Sequence, residues 1–289
     1  MCQSPHVMVT QAARKTGQAA DAACVAARIR GNLRAMHPIL QTTLGYDPTR
    51  HRPLPGIAPL DPQDWIIVDD AHAAQMAERA RLIAERPEAV LALDPPAMPA
   101  ALELLEAVLA ELAARGDHVV ASDRVTRADG VTVPLRRDDP MATLGHLVQQ
   151  DLCLMEKRGD EHVLTGAVLC FPASWTLSEK FLRPLIGIHV PVDVYDADLA
   201  RRVQRLFDGV QVGRPLWRFN ALWYADPTLH QPRREADRRP ERGAEEAPYL
   251  RTERQSLVRL PRTGAVVFGI HTSVLHRDRV RALWPVGTI

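Results

Sequence analysis

Residues 151–192 read DLCLMEKRGDEHVLTGAVLCFPASWTLSEKFLRPLIGIHVPV, and this stretch decides the fold. Two β-rich runs, 151–156 and 163–171, flank the charged turn Lys157-Arg158-Gly159-Asp160-Glu161, which predicts an antiparallel hairpin. Pro172 stops the second strand. Ser174 or Thr176 can cap a helix over 177–182, with Glu179 in its first turn, and Pro184 prevents that helix from continuing. His189 then falls in the segment leaving the helix, between Ile188 and Val190 with Pro191 stiffening the backbone behind it, as a candidate metal ligand.

Working toward the N-terminus, apolar and alanine residues recur at helical spacing over 71–85 and 100–115, with Leu102, Leu105, Leu109 and Leu112 on one stripe and Gly116 as the stop. Two amphipathic helices joined by the loop DPPAMP are expected, followed by a short helix or turn over 144–150. The proline-rich segment 46–62, anchored by Trp65, wraps the domain. Toward the C-terminus, 197–207 is helical, with Leu199, Val203, Leu206 and Phe207 apolar and Arg201, Arg202 and Arg205 mostly on the other face. Strands are expected over 216–224, 251–260 and 265–275, the last two joined by the turn Pro261-Arg262-Thr263-Gly264. The succession of two strands, helices and three antiparallel strands makes the fold class α+β. The run HQPRREADRRPERGAEEAP, at 230–248, mixes charge and proline without apolar periodicity and reads as an exposed insertion, or as a docking surface for an acidic redox partner.

Composition narrows the function. With 289 residues, 36 basic and 35 acidic, the formal charge of +1 gives no field for nucleic acid or an anionic membrane. An apolar fraction of 46% and a charged fraction of 25% suit a globular protein, and 23 prolines indicate stiff loops. No run of about eighteen apolar residues offers a membrane span, and the first thirty residues lack a secretory apolar core, so cytoplasmic residence is expected. Cys2, Cys24, Cys153 and Cys170 form no CxxC pair, which argues against zinc or iron–sulfur ligation by this chain. Cys153 and Cys170 lie in apolar strand patterns as small buried hydrophobes, with Cys170 as a thiolate ligand the alternative. There is no dinucleotide-binding glycine motif, no zinc-like histidine pair and no Ser-His-Asp order.

The motifs FPASWTLSEK, IGIHVPV, PLWRFNALWY and RTERQSLVRLPRTGAVVFGIHT resemble the haem-dependent oxidative N-demethylase alpha subunits and their relatives, and the likeness runs from Leu44 onward. The resemblance implies an α+β fold with a PAS-like antiparallel sheet, flanking helices and an N-terminal helical extension. In those terms 1–43 is a flexible extension, 44–143 a helical part packing on the core, and 144–289 a PAS-like haem-binding core. It further implies haem b, on which a small secondary amine such as dimethylamine and O2 meet and formaldehyde is released, with FMN, 2Fe–2S and NADPH carried by partner reductase subunits. The alternative is a haem-binding PAS-like sensor or carrier without turnover.

A haem needs an axial ligand, an apolar slot and cations near its propionates. His189, in IGIHVPV, is the expected ligand, with His271 the main rival and His146, His230 and His276 weaker. On the strand Arg251-Thr252-Glu253-Arg254-Gln255 the alternation puts Arg251, Glu253 and Gln255 on one face and Thr252 and Arg254 on the other. This strand is either a sheet edge with cross-strand ion pairs or a cofactor contact, in which Arg251, Arg254, Arg218, Asn220 and Lys180 reach the haem. Glu253 and Asp151, with the Trp217, Trp223 and Tyr224 cluster, are candidates for the recess that takes the amine. The sequence departs from the family at His271 to Ser273, where an arginine followed by Thr and Tyr is usual, and at NALW, where NW is usual.

Overall fold

A computed structural model describes residues 38–50, 56–189, 197–237 and 246–285, and for His189 and residues 197–200 it describes the backbone alone. The proposed extension 1–43 therefore lies outside the described residues up to 37. In chain order the elements are β1 (Ala58–Pro59), α1 (His72–Glu85), α2 (Pro87–Val90), β2 (Leu91–Leu93), α3 (Met98–Arg115), β3 (Val119–Val120), β4 (Arg124–Thr126) and β5 (Thr132–Pro134). There follow α4 (Pro140–Leu147), β6 (Asp151–Arg158), β7 (Glu161–Val168), α5 (Leu177–Lys180), α6 (Leu185–His189) and α7 (Ala197–Gly209). The chain then gives β8 (Leu216–Tyr224), β9 (Tyr249–Arg259), β10 (Val266–His276) and α8 (Arg277–Leu283).

The expected hairpin forms as β6 and β7, turning at Gly159, whose φ of 64° is the left-handed conformation that glycine adopts without strain. These strands belong to an open seven-stranded antiparallel sheet in the order β1-β8-β9-β10-β6-β7-β2. β10 sits between β9 and β6, so the last strand of the chain closes the sheet against the first strand of the hairpin. β9 and β10 pair along their whole length, from Tyr249↔His276 to Arg259↔Val266. The strand carrying Arg251 to Gln255 is thus interior, which corrects the sheet-edge reading of its charges.

Alternation sends the two sides of each strand into different cores. Leu152, Leu154, Val168 and Val267 pack with Leu104, Leu105, Val108 and Leu112 of α3 and with Leu82 and Leu144. Cys153, Met155, Ala167, Leu257 and Ile270 pack instead with Leu177, Leu185, Ile188, Leu206 and Phe207. Helical layers therefore cover both faces of the sheet, α1, α3 and α4 on the first side and α5 to α7 on the second.

Some local expectations shift. The stripe that α3 buries runs through Ala101, Leu104, Leu105, Val108 and Leu112, while Leu102 and Leu109 are only half-buried. The helix over 177–182 stops at Lys180 because the chain is drawn into the sheet: Leu182 N donates to Leu164 O (2.9 Å) and Leu164 N to Arg183 O (3.2 Å). Leu182 takes a φ of 60° to make that exit. The segment extends β7 past the end of β2 and sets the start of α6, so His189 ends a short helix rather than lying in a loop. β2 and the small sheet β3-β4-β5 are strands the periodicity did not show, each being two or three residues long.

Gly145 is where α4 meets the sheet. A Cβ there would stand 2.6 Å from Ile83 Cδ1 and 2.7 Å from Val168 Cγ2. Gly145→Ala gains helix propensity of about 1 kcal/mol but forces both neighbours apart, and overpacking costs about 1–3 kcal/mol. A net loss of about 1 kcal/mol is expected in urea unfolding; a stabilised variant would show that α4 can back away from β7.

Candidate functional site

The register of β8, β9 and β10 places every polar side chain of this region on one of two faces, because residues directly opposite in an antiparallel pair share a face. Asn220↔Glu253↔Thr272 and Arg218↔Gln255↔Ile270 form rows on the side covered by α5 to α7. Phe219↔Arg254↔His271 and Ala221↔Thr252↔Ser273 form rows on the opposite side.

On the first of these faces the residues make a connected set. Asn220 clamps Glu253, donating from Nδ2 to Glu253 Oε2 (3.1 Å) and accepting at Oδ1 from Glu253 N (3.2 Å). Gln255 Nε2 donates to the same Oε2 at 3.2 Å. Arg251 is buried and reaches across to the carbonyls of Leu229 (2.9 Å) and Phe171 (2.7 Å), while its Nε lies 3.8 Å from Glu253 Oε1. Tyr224 stacks beside it, 6.0 Å from its guanidinium carbon. The Nε atoms of Arg218 and Arg251 are both buried without a hydrogen-bond partner, and for Arg218 burial pulls the pKa down while the Glu253 charge pushes it back up. Thr272 Oγ1, also on this face, is likewise buried without a partner.

Among the described residues, two guanidinium groups against one carboxylate leave this face with an excess of positive charge. That corrects the expectation of an anionic recess at Glu253, whose Oε2 is doubly hydrogen-bonded and whose Oε1 lies beside Arg251. The arrangement suits an anion next to Arg218. The aromatic cluster also divides: Tyr224 lies on this face, whereas Trp217 and Trp223 point to the other.

Three expected site residues lie elsewhere or are already engaged. Arg254 projects from the opposite face, donating to Asp64 O (2.8 Å) and stacking 5.2 Å from the Trp217 ring. Lys180 is 4% exposed and held by Glu235 at 2.5 Å, so its charge is matched within the protein. Glu235 belongs to the 230–248 run, whose first part is not free: Gln231 N donates to Pro172 O and Ser174 N to Gln231 O, both at 3.1 Å, while 238–245 lie outside the described residues. Asp151 is 1% exposed with both oxygens taken, Oδ1 by Arg79 (2.5 Å) and Cys170 N (2.7 Å), and Oδ2 by Phe171 N (2.8 Å). It is a structural anion between α1 and the end of the hairpin rather than a group facing substrate. The His189 backbone ends α6, whose Ile188 packs in the core under the Glu253 face; its imidazole lies outside the described residues.

The rival histidine is accounted for on the other side. His271 is 3% exposed and donates from Nε2 to Asp69 Oδ2 at 2.9 Å. Gln41 (3.0 Å) and Gln149 (2.6 Å) donate to the same carboxylate. Burial raises the Asp69 pKa, but the hydrogen bond and charge of His271, with the hydrogen bonds of the two glutamines, outweigh it and hold the group at about 2. The folded value lies below the ordinary 3.8, so Asp69 contributes stability above about pH 4 that is lost as pH falls through 3.8 toward 2. Asp69→Asn is therefore expected to flatten the acid limb of stability between pH 4 and 2 by about 2 kcal/mol. Urea midpoints across that range measure it, and an unchanged limb would contradict the network.

Cys170 is not placed as a thiolate ligand: it is buried, and burial pushes its thiol up to about 12. His230 Nδ1 bonds Cys170 O (2.8 Å), and His276 caps α8 by accepting from Asp278 N. Sequence reasoning missed Thr272, because only the pairing register shows that this residue stands opposite Glu253 on the same face. It also missed Arg79, one of two arginines on an amphipathic helix and marked in no other way.

Among the described residues no three His, Cys, Asp or Glu are grouped to hold a metal ion, and no helix is long and apolar enough to cross a membrane. Residues 56–284, which take in every element from β1 to α8 and the whole Glu253 face, match the family described as haem-dependent oxidative N-demethylase, alpha subunit-like, and the chain belongs to that family.

Proposed function

We propose that the chain is the haem-binding subunit of an oxidative N-demethylase that releases formaldehyde from a small secondary amine such as dimethylamine, using O2. The observation that carries this reading is Arg218, a half-buried guanidinium with an orphaned Nε on a face of net positive charge whose floor is apolar. A haem propionate would supply the anion that this nitrogen lacks, and His189 is the candidate residue to hold the iron. The succession of hairpin, helices and three strands, with β10 returning beside β6, supports a PAS-like description of residues 144–289. In the same reading 44–143 is the helical part that packs on that core and 1–43 an extension.

Bound haem b would supply the redox chemistry, activation of O2 and oxidation of the amine. The chain's own residues set the conditions. Arg251 fixes the wall at Leu229 and Phe171, and Asn220 and Gln255 lock the orientation of Glu253. Surplus positive charge disfavours an ammonium ion, so the substrate is held as the neutral amine, with Glu253 Oε1 accepting its N–H and Thr272 Oγ1 a second polar contact. The departure at His271 and Ser273 gives no support to a sensor without turnover, because both residues lie on the Asp69 side of the sheet, whereas Thr272 faces the site. FMN, 2Fe–2S and NADPH belong to partner subunits in this reading, and the cytoplasm is its compartment.

The test is to load the full chain with haem, add dimethylamine, O2 and a reductant, and measure formaldehyde. Amine-dependent formaldehyde is expected. A loaded protein that consumes no secondary amine would sink the enzymatic reading.

A further inference from the structure

We propose that the outward face of α7 is the docking surface for an acidic electron-carrier protein; this rests on the demethylase reading above. α7 buries Phe207 and packs Val203 and Leu206 into the core over the Glu253 face, beside Leu185 and Ile188 of α6. Its opposite side presents Arg201, Arg202 and Arg205, all exposed, with Arg202 and Arg205 one turn apart. Of the two acids in this helix, Asp208 is matched by Lys157 at 2.7 Å, and the side chain of Asp198 lies outside the described residues. Arg259 holds that end rigid, donating to Val210 O (2.5 Å) and Phe207 O (2.6 Å). The result is a firmly anchored basic stripe on the outer surface of the layer that covers the proposed cofactor face.

Electron balance requires a visitor. Oxidative demethylation takes one N-methyl amine, one O2, two electrons and two protons to the demethylated amine, one formaldehyde and one water. The broken C–H bond supplies two of the four electrons that O2 takes up. The other two come from outside, and this sequence holds no CxxC pair or dinucleotide glycine motif of its own. The family description, an alpha subunit, itself points to companion chains. A one-electron carrier with an acidic rim complements the stripe, speeds encounter and leaves easily at physiological salt.

The probe is an acidic plant-type [2Fe–2S] ferredoxin, its binding to the full chain measured by calorimetry at low and high NaCl. Binding to the unaltered protein is expected to weaken about 10-fold between about 20 and 300 mM salt. Arg202→Glu/Arg205→Glu is expected to weaken it about 10-fold at low salt, and the neutral Arg202→Gln/Arg205→Gln to a smaller degree. Arg124→Glu/Arg136→Glu, an equal charge change at two other exposed arginines (59% and 62%), should stay within about 2-fold. Ferredoxin binding that is absent, indifferent to the α7 variants, or lost equally in the control pair overturns the proposal. Haem loading is followed separately by absorbance, so a chain that takes no haem but binds ferredoxin through α7 refutes the cofactor reading alone. A chain that takes haem and shows no α7 dependence refutes the docking surface alone.

Discussion

Arg79→Met is expected to cost about 3–5 kcal/mol of folding stability, because it strands a buried carboxylate. Arg79 is 0% exposed and joins α1 to the sheet, donating from Nη1 to Asp151 Oδ1 at 2.5 Å and from Nε to Gly145 O at 3.1 Å, with Phe171 5.5 Å below it. Burial alone would push its pKa down, but Cys170 and Asp151 beside it hold it above the ordinary value. Replacing both partners, as Arg79→Met/Asp151→Leu, restores charge balance yet leaves Cys170 N and Phe171 N without an acceptor. The double variant should therefore recover only part of the loss, each buried orphan costing about 1–3 kcal/mol. Urea unfolding measures both; a full recovery would mean that Asp151 serves Arg79 alone.

The strands of the central sheet were legible because each has enough residues for alternation or β-rich composition to show. The strand 216–224 coincides with β8, and 251–260 and 265–275 differ from β9 and β10 by one or two residues at each end. The short pieces were not legible. Leu91–Leu93 carries no period, and its place on the outer edge of β7 is decided by tertiary contact. The helix after Pro172 had its cap residue and its stop, but Thr176 spends its hydroxyl on Glu179 (2.7 Å) and the pull of the β7 edge ends the helix early.

For the site, parity along the strands placed Arg218, Asn220, Arg251 and Glu253 together and set Arg254 apart, as the structure has them. Parity says nothing of what lies across space. That Asp151 meets Arg79, that Lys180 meets Glu235 and that His271 meets Asp69 depend on residues from 55 to 202 positions away, and those partners remove all three from the list of free groups.

His189→Ala is expected to abolish or re-spin bound haem while the fold persists. The change lies at the end of a five-residue helix and deletes no large apolar side chain. Arg218→Met should weaken haem retention by about 10-fold through loss of a propionate contact, leaving the iron spectrum itself unaltered. His271→Ala should do the reverse, sparing the Soret band and lowering stability through Asp69. Absorbance spectra and urea midpoints on the three variants separate these outcomes. A spectrum lost in His271→Ala and kept in His189→Ala would transfer the ligand role.

The central claim is that the Glu253 face holds a haem. Titrating the purified full chain with haem, with iron measured on the protein as isolated, tests it most directly. The account requires a Soret band that saturates at one haem per chain and shifts on adding an O2 analogue such as CO. A titration that shows only free haem, in a protein whose far-ultraviolet spectrum confirms that it is folded, would contradict it.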